Sequence, residues 1–502
     1  MFIGPLPDHP SQFTIFCDNR CLKENILKRH SAAPIPFLLA FLAILSCAPR
    51  ARAQSARRAD ILITNALVVT MDSARHIYNP GAVAIRGDSI IAVGPQNEIA
   101  SSFTASRAID AHNEIVMPGL INGHTHATMS LFRGLGGDSD LNDWLQKYIF
   151  PAEARNVTAD FVEWGTRLGI LEMLRGGVTT YADMYYFEDN AARVTKEAGM
   201  RGVLGETILD FPAPDNKSVP QMLAYTEKYI QHWQHDPLVT PAIAPHSMYL
   251  CSANTLKAAA ALARKYHAPI LIHLSETRTE NQQSQAKYHL SPTAYLESLG
   301  FLAPDVTAAH CVWVDAADIK LLAAHDVGCV NNPSSNMKLA SGTSPVVDLI
   351  AANVPEGLAT DGAASNNDLD MFEEMDLAAK QQKLARMDPR ALPAEQVVAM
   401  ATIDGARSLH MEEEIGSLEA RKKADVILIR TDAPHATPMY AADNGVYTAL
   451  VYALKASDVD SVIINGRLLM DHRRMLTLDS GAILAHARAY AKQVSASLKS
   501  SR

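Results

Sequence analysis

Two histidines separated by one residue, His124 and His126, close the run Pro118-Gly-Leu-Ile-Asn-Gly-His-Thr-His126. Side chains alternate along a strand, so residues i and i+2 share a face. Two neutral imidazoles on one face can hold a borderline divalent ion at about 2.0–2.1 Å. Three later apolar runs end in the same manner. Residues 269–274 deliver His273, with Glu276 three positions on; residues 306–310 deliver His310; and residues 356–360 deliver Asp361. A further histidine, His246, follows the run 239–245. Any single one could be a core histidine satisfied by its neighbours. Four strand ends carrying ligand-capable groups point instead to one shared cavity.

The chemistry such a cavity could perform follows from the residue types. His124, His126, His273 and Asp361 read as ligands of one divalent ion, Zn2+ first, with Fe2+ or Mn2+ as alternatives, because imidazole and carboxylate suit several such metals. An open position would take a water whose pKa falls to about 7. Glu276, offset from His273, can face a substrate as general acid and base and carry a proton to a ring nitrogen. Asp361 can accept the second water proton, and His310 can orient the attacking oxygen. The strand-like segment 201–211 holds no lysine to bridge two ions, so one metal is expected.

Positioning these groups requires elements that end at one place. Between about residues 120 and 410, short apolar runs alternate with helical stretches: helix 255–266, strand 270–274, strand 306–311, helix 316–325 and strand 328–331. Repeated β/α alternation implies a parallel sheet, and roughly 290 residues suit a (β/α)₈ barrel, whose sites sit at the C-terminal ends of its strands. A doubly wound sheet is disfavoured, since no glycine-rich phosphate loop follows an early strand. Flanking this region, β-branched runs at 61–64, 67–70, 82–85 and 90–93 read as antiparallel strands, and matching runs return at 424–430 and 459–466. The expected organisation is α/β: a barrel over 119–414, a small β-sandwich from 58–118 plus 415–478, and a terminal helix over 479–502.

The first fifty residues differ from the rest. Arg29 and His30 precede the apolar run 35–45, followed by Ala51-Arg-Ala53. This is the layout of an export signal, and the run falls short of the about 20 apolar residues of a membrane span. Cleavage after Ala53 would give an exported protein, periplasmic or secreted, and a leader that does not function would leave it cytoplasmic; the long stretch 1–28 before the apolar run suggests a start further along. Ser46-Cys47 offers a lipoprotein reading of the same leader. The whole chain of 502 residues has 45 Lys or Arg against 54 Asp or Glu, a net charge of -9. Without residues 1–53 it would carry 39 basic and 51 acidic residues, net -12. Nucleic acid is therefore not the expected partner. Only Cys251, Cys311 and Cys329 lie beyond the leader, too few and too odd for a disulfide framework. A homo-oligomer is left open.

These segments resemble the amidohydrolase superfamily, and within it the methylthioadenosine/S-adenosylhomocysteine deaminases, over roughly residues 58–480. The resemblance rests on Pro118-Gly-Leu-Ile-Asn-Gly-His-Thr-His-Ala-Thr-Met-Ser-Leu-Phe-Arg-Gly134, Ile272-His-Leu-Ser-Glu-Thr277, Asn332-Pro-Ser-Ser-Asn-Met-Lys-Leu-Ala-Ser-Gly342 and Thr360-Asp-Gly-Ala-Ala-Ser-Asn-Asn367. It implies hydrolytic deamination at C6 of an adenosine-type nucleoside, with the metal set unchanged, Glu276 on the purine ring and His246 in the substrate pocket. It further implies that Glu153, in Pro151-Ala-Glu153, holds the ribose hydroxyls. Two departures stand out. Asn331-Asn332-Pro333 replaces the frequent His-Asn-Pro, and residues 210–229 offer Lys217 and Lys228 but no arginine for the distal carboxylate of S-adenosylhomocysteine. Rival readings are another mononuclear amidohydrolase, acting on guanine, a pterin or an s-triazine, and a non-catalytic purine-binding protein.

Overall fold

The computed structural model describes residues 57–440 and 445–499. The leader expected over 1–53 lies outside the described residues. Among the described residues, no helix is long and apolar enough to cross a membrane.

Eight parallel strands follow one another around a barrel in chain order: Leu120–Thr125, Val178–Tyr185, Arg201–Ile208, Val239–Pro245, Ile270–Leu274, Val306–His310, Gly328–Asn331 and Glu356–Leu358. The second and third are buried at every position, as befits parallel strands covered by helices. The helices between them start and stop on local signals. Ser252 caps Ala253–Tyr266 by accepting from Thr255 N–H at 3.3 Å, and Asp315 with Asp318 forms a reciprocal capping box on Ala316–Ala324. The barrel expected from the β/α alternation is thus present, with strands Ile270–Leu274 and Gly328–Asn331 at their expected bounds and the ends of the two named helices and of strand Val306–His310 within two residues.

First and last strands meet without a regular ladder. The side chain of Asn122 bridges them instead: its Nδ2 donates to Thr360 Oγ1 at 2.7 Å and its Oδ1 accepts from Thr360 N–H at 3.0 Å. The Asp361 N–H then donates to His124 O at 3.0 Å. Gly123 permits this approach, because a Cβ there would lie 2.5 Å from Val330 Cγ1. The seam therefore brings Asp361 beside His124.

The separate nine-stranded sheet draws on both chain ends. Its joint is the antiparallel pairing of Glu114–Pro118 with Val426–Arg430, Val116 opposite Leu428. One apolar cluster, including Ile63, Val83, Ile85, Val116, Val426 and Ile463, ties the two halves together. Two features differ from the sequence reading. The runs at 61–64 and 67–70 are one strand, Arg57–Val69, irregular in register between Ile63 and Val68, where Asn65 takes φ 60°. That strand also runs parallel to Phe103–Asp110 and Glu114–Pro118, because helix Gln96–Ser102 carries the chain across. Phe103–Asp110 buries only Phe103, so no alternation marked it. The terminal helix Ser480–Lys499 lies on Ala159–Arg175, with His486 stacked on Trp164 at 3.5 Å and Tyr490 edge-on to Phe161 at 5.0 Å.

Candidate metal centre and substrate cavity

His124 ends the first barrel strand's inward face, and His126 caps the short helix that follows it. Their shared orientation is fixed from behind. His126 Nδ1 lies 2.7 Å from Met184 O, and His273 Nδ1 lies 2.8 Å from His246 O. A carbonyl only accepts, so each Nδ1 carries the proton and each Nε2 turns a lone pair inward. The two Nε2 atoms are 3.4 Å apart. Asp361 Oδ1 stands 3.3 Å from His126 Nε2 and 3.5 Å from His124 Nε2. His124 Nε2 is buried and has no hydrogen-bond partner.

These atoms fit a divalent ion. His124, His126 and Asp361 present ligand atoms mutually within 4.8 Å, and so do His124, His273 and His310. An unpartnered lone pair, two imidazoles with fixed tautomers and a carboxylate converging on one point are costly to bury unless a cation joins them. Burial holds His124 down at about 4 and His246 at about 3, with neighbouring imidazoles adding to the effect, so both are neutral near pH 7. Burial works to raise the Asp361 carboxyl, but the His124, His126 and His310 imidazoles around it outweigh burial and hold it well below the usual range. Ser335 Oγ donates to the second oxygen, Oδ2, at 2.6 Å.

Left-handed backbone, which recurs along the chain, also occurs at the site. Ser275, His310 and Asp361 take φ values of 50°, 76° and 62°, the left-handed region that non-glycine residues seldom occupy. Each ends or follows a barrel strand, where the chain must turn at once to leave its side chain over the cavity.

The cavity and the open solvent at its mouth together hold about 590 Å³ of empty space. His126, His246, His273, Glu276, His310 and Asp361 line its floor, with Glu153 on the wall. Glu276 is 3 % exposed, and its Oε2 lies 4.0 Å from His310 Nε2. Burial raises the Glu276 carboxyl, Asp361 adding to the shift and His310 opposing it. For His310, burial lowers, but Glu276 and Asp361 outweigh it and raise the imidazole. Its Nδ1 contacts Asn336 Oδ1 at 2.9 Å and Asn332 Nδ2 at 3.1 Å. Glu153 sits on helix Phe150–Asn156 and accepts from Tyr185 Oη at 2.8 Å and Tyr186 Oη at 3.5 Å. Burial pushes its carboxyl up to about 7, against the lowering effect of both tyrosines.

Seven of the eight residues singled out from the sequence therefore border one space. His124 sits beneath it, a ligand-range neighbour of the lining residues. His310, expected only to orient an attacking oxygen, also falls within ligand range of His124 and His273. Nothing in the sequence marked Tyr185 or Tyr186, and Asn122 lay without a role in the segment 118–134. Ser335 and Asn336 lay within a recognised segment without a role. Asn331, standing where relatives often have histidine, is buried, accepts from Asn336 Nδ2 at 3.3 Å and leaves its own Nδ2 unpartnered. Lys217 is turned to the carbonyls of Ala213 and Pro214 at 2.7 and 3.0 Å.

Comparison with known proteins places the chain in context. The model of the Amidohydrolase family matches residues 115–469. A 5-methylthioadenosine/S-adenosylhomocysteine deaminase of Syntrophobacter fumaroxidans is 45% identical over 437 residues, 87% of this chain and 99% of the relative. One from Syntrophus aciditrophicus is 46% identical over 442 residues, 88% and 98%. The crystal structure of an adenosine deaminase from Xanthomonas campestris with bound zinc superposes with a TM-score of 0.85 at 35% identity, covering 88% of this chain and 100% of that one.

Proposed function

The chain belongs to the amidohydrolase family, and from that premise we propose that it is a metal-dependent hydrolytic deaminase of adenosine-type nucleosides. Water replaces the amino group at C6, giving the inosine counterpart and ammonia. The observation that carries this reading is the convergence of His124, His126, His273 and Asp361 around the unpartnered His124 Nε2, with Glu276 and His310 on the same floor. Relatives named as deaminases of such nucleosides, matched over nearly their whole length, support it.

Zn2+ is the ion proposed, since the Xanthomonas protein has it bound. When bound, it supplies Lewis acidity that brings the pKa of a water to about 7. The chain does the rest. Glu276, whose carboxyl is raised by burial, holds a proton where it can pass to the ring nitrogen beside C6 and take another from water. His310 fixes the direction of attack, itself fixed by Asn336. Asp361 Oδ1 accepts the remaining proton, which then passes to the departing amino group as ammonia leaves, while Ser335 holds Oδ2 in place. Glu153 takes the ribose hydroxyls and His246 forms a wall of the pocket.

Among the described residues, no lysine or arginine lines the cavity, and Leu141, Trp144, Leu145, Ile149 and Phe150 give its outer part an apolar surface. This favours uncharged 5′ groups, as in methylthioadenosine, 5′-deoxyadenosine and adenosine, over the carboxylate-bearing tail of S-adenosylhomocysteine. An ammonia-release assay over these four compounds tests the reading. Turnover of the first three, with S-adenosylhomocysteine slowest, is expected; no ammonia from any of them overturns it. Export, the finer statement about location, rests on the leader alone, and N-terminal sequencing of the mature protein checks it.

A further inference from the structure

Helix Arg278–Tyr288 follows Glu276 and begins with Thr277 as its cap, Thr277 Oγ1 accepting from Glu280 N–H at 3.1 Å. In an ordinary capping box the glutamate three residues into the helix would return to the N–H of the cap itself. Glu280 does otherwise. Its Oε2 accepts from the N–H of Glu276 at 2.8 Å and its Oε1 from the N–H of Ser275 at 3.1 Å. The helix start thus grips the two peptide groups before its cap. One of them is the peptide of the residue proposed to move the proton.

Those peptides need holding. Ser275 sits at φ 50° and is fully buried, a conformation that persists only where the surroundings over-determine it. Its carbonyl is tied from the other side by Trp313 N–H at 2.8 Å. Glu280 is itself 3 % exposed and does not line the cavity, so it cannot touch substrate. Helix Ala316–Ala324, which has the reciprocal box on its own cap, shows that capping alone does not call for this longer reach.

We infer that Glu280 is a positioning residue for Glu276: its two carboxylate oxygens fix the left-handed turn after the fifth barrel strand and so aim the Glu276 side chain at the reacting ring. The inference rests on the deaminase reading and deepens it. Removing one acceptor lets the turn relax, and a misplacement of about 1 Å in a catalytic group costs about 10²-fold in rate.

The test is a double-mutant cycle in the metal-loaded enzyme with methylthioadenosine as substrate. Glu280→Gln keeps the shape but leaves one accepting oxygen, and is expected to lower kcat by about 10²-fold with KM and bound metal unchanged. In a Glu276→Gln background, the same substitution is expected to cost nothing further in the residual rate, because there is no longer an aimed carboxylate to misplace. Thr277→Ala, which weakens the same helix start while leaving both Glu280 acceptors, should lower the melting temperature and leave kcat alone. Should Glu280→Gln fail to fold, the cycle is run with Glu280→Asp, which keeps the charge but is too short to span both N–H groups. An equal loss in both backgrounds, or a loss of metal or KM with kcat intact, overturns the positioning role and leaves the deaminase reading standing. Undiminished ammonia release in Glu276→Gln alone overturns the assignment of Glu276 itself, and Glu280 with it.

Discussion

Two buried polar clusters at opposite ends of the barrel are satisfied in different ways. At the N-terminal end, Arg201 opens the third strand and pairs with Asp425 of the separate sheet, Nε to Oδ2 at 2.8 Å and Nη2 to Oδ1 at 3.2 Å. Both groups are almost fully buried, and the leftover capacity is used: Arg201 Nη1 donates to Pro237 O at 2.9 Å, and Asn465 N–H donates to Asp425 Oδ1 at 2.7 Å. At the C-terminal end, an equally buried set leaves His124 Nε2 unpartnered and bends Ser275, His310 and Asp361 into left-handed backbone. The Arg201–Asp425 pair is satisfied within the chain, whereas the histidine cluster is held ready for something outside it. Conserving stability at one face while exposing polar groups at the other is what allows the same barrel to be rigid and reactive.

The sharpest way to break this contrast is at Glu276. Glu276→Gln should bind metal normally yet lose turnover by about 10³-fold or more, the range of a positioned proton donor; ammonia release and metal analysis on the same sample decide it. His124→Asn should next abolish metal binding with secondary structure intact, checked by elemental analysis and circular dichroism. A structural role for His124 would show as an unfolded spectrum instead. The opposite end predicts the reverse pattern. Asp425→Ala strands the Arg201 guanidinium and should cost about 3–5 kcal/mol of stability, read by denaturant unfolding, while kcat per folded molecule stays unchanged. The smallest effect belongs to Glu153. Its carboxyl is raised to about 7, so the ionised form, the one proposed to accept ribose hydroxyls, is populated above that pH and lost below it. KM for adenosine should therefore rise as pH falls through 7, by up to about tenfold per unit, and this slope should vanish in Glu153→Gln.

Legibility followed the range of the interactions. The histidine-bearing strands could be read because a buried parallel strand is a short continuous apolar run and its final residue stands out against it. The one-residue spacing of His124 and His126 needed only the period of a strand. Strand Phe103–Asp110 could not be read, since seven of its eight residues stay at least partly exposed, and the bulged strand Arg57–Val69 looked like two. Glu280 went unread: a Thr277-x-x-Glu280 helix start is ordinarily a capping box whose glutamate returns to its cap. Only the turned backbone at Ser275 redirected it.

By itself the sequence determined which groups would meet at a barrel mouth, because strand period and β/α alternation are local properties and the fold obliges all strand ends to converge. Tertiary structure alone decided how they meet. The closing of the first strand on the last through Asn122 and Thr360, the carbonyls of Met184 and His246 that set two imidazole tautomers, and the tyrosines that face Glu153 join residues 27 to 238 positions apart. No periodicity in a single chain encodes such pairs, since each depends on packing that brings separate elements within hydrogen-bond reach.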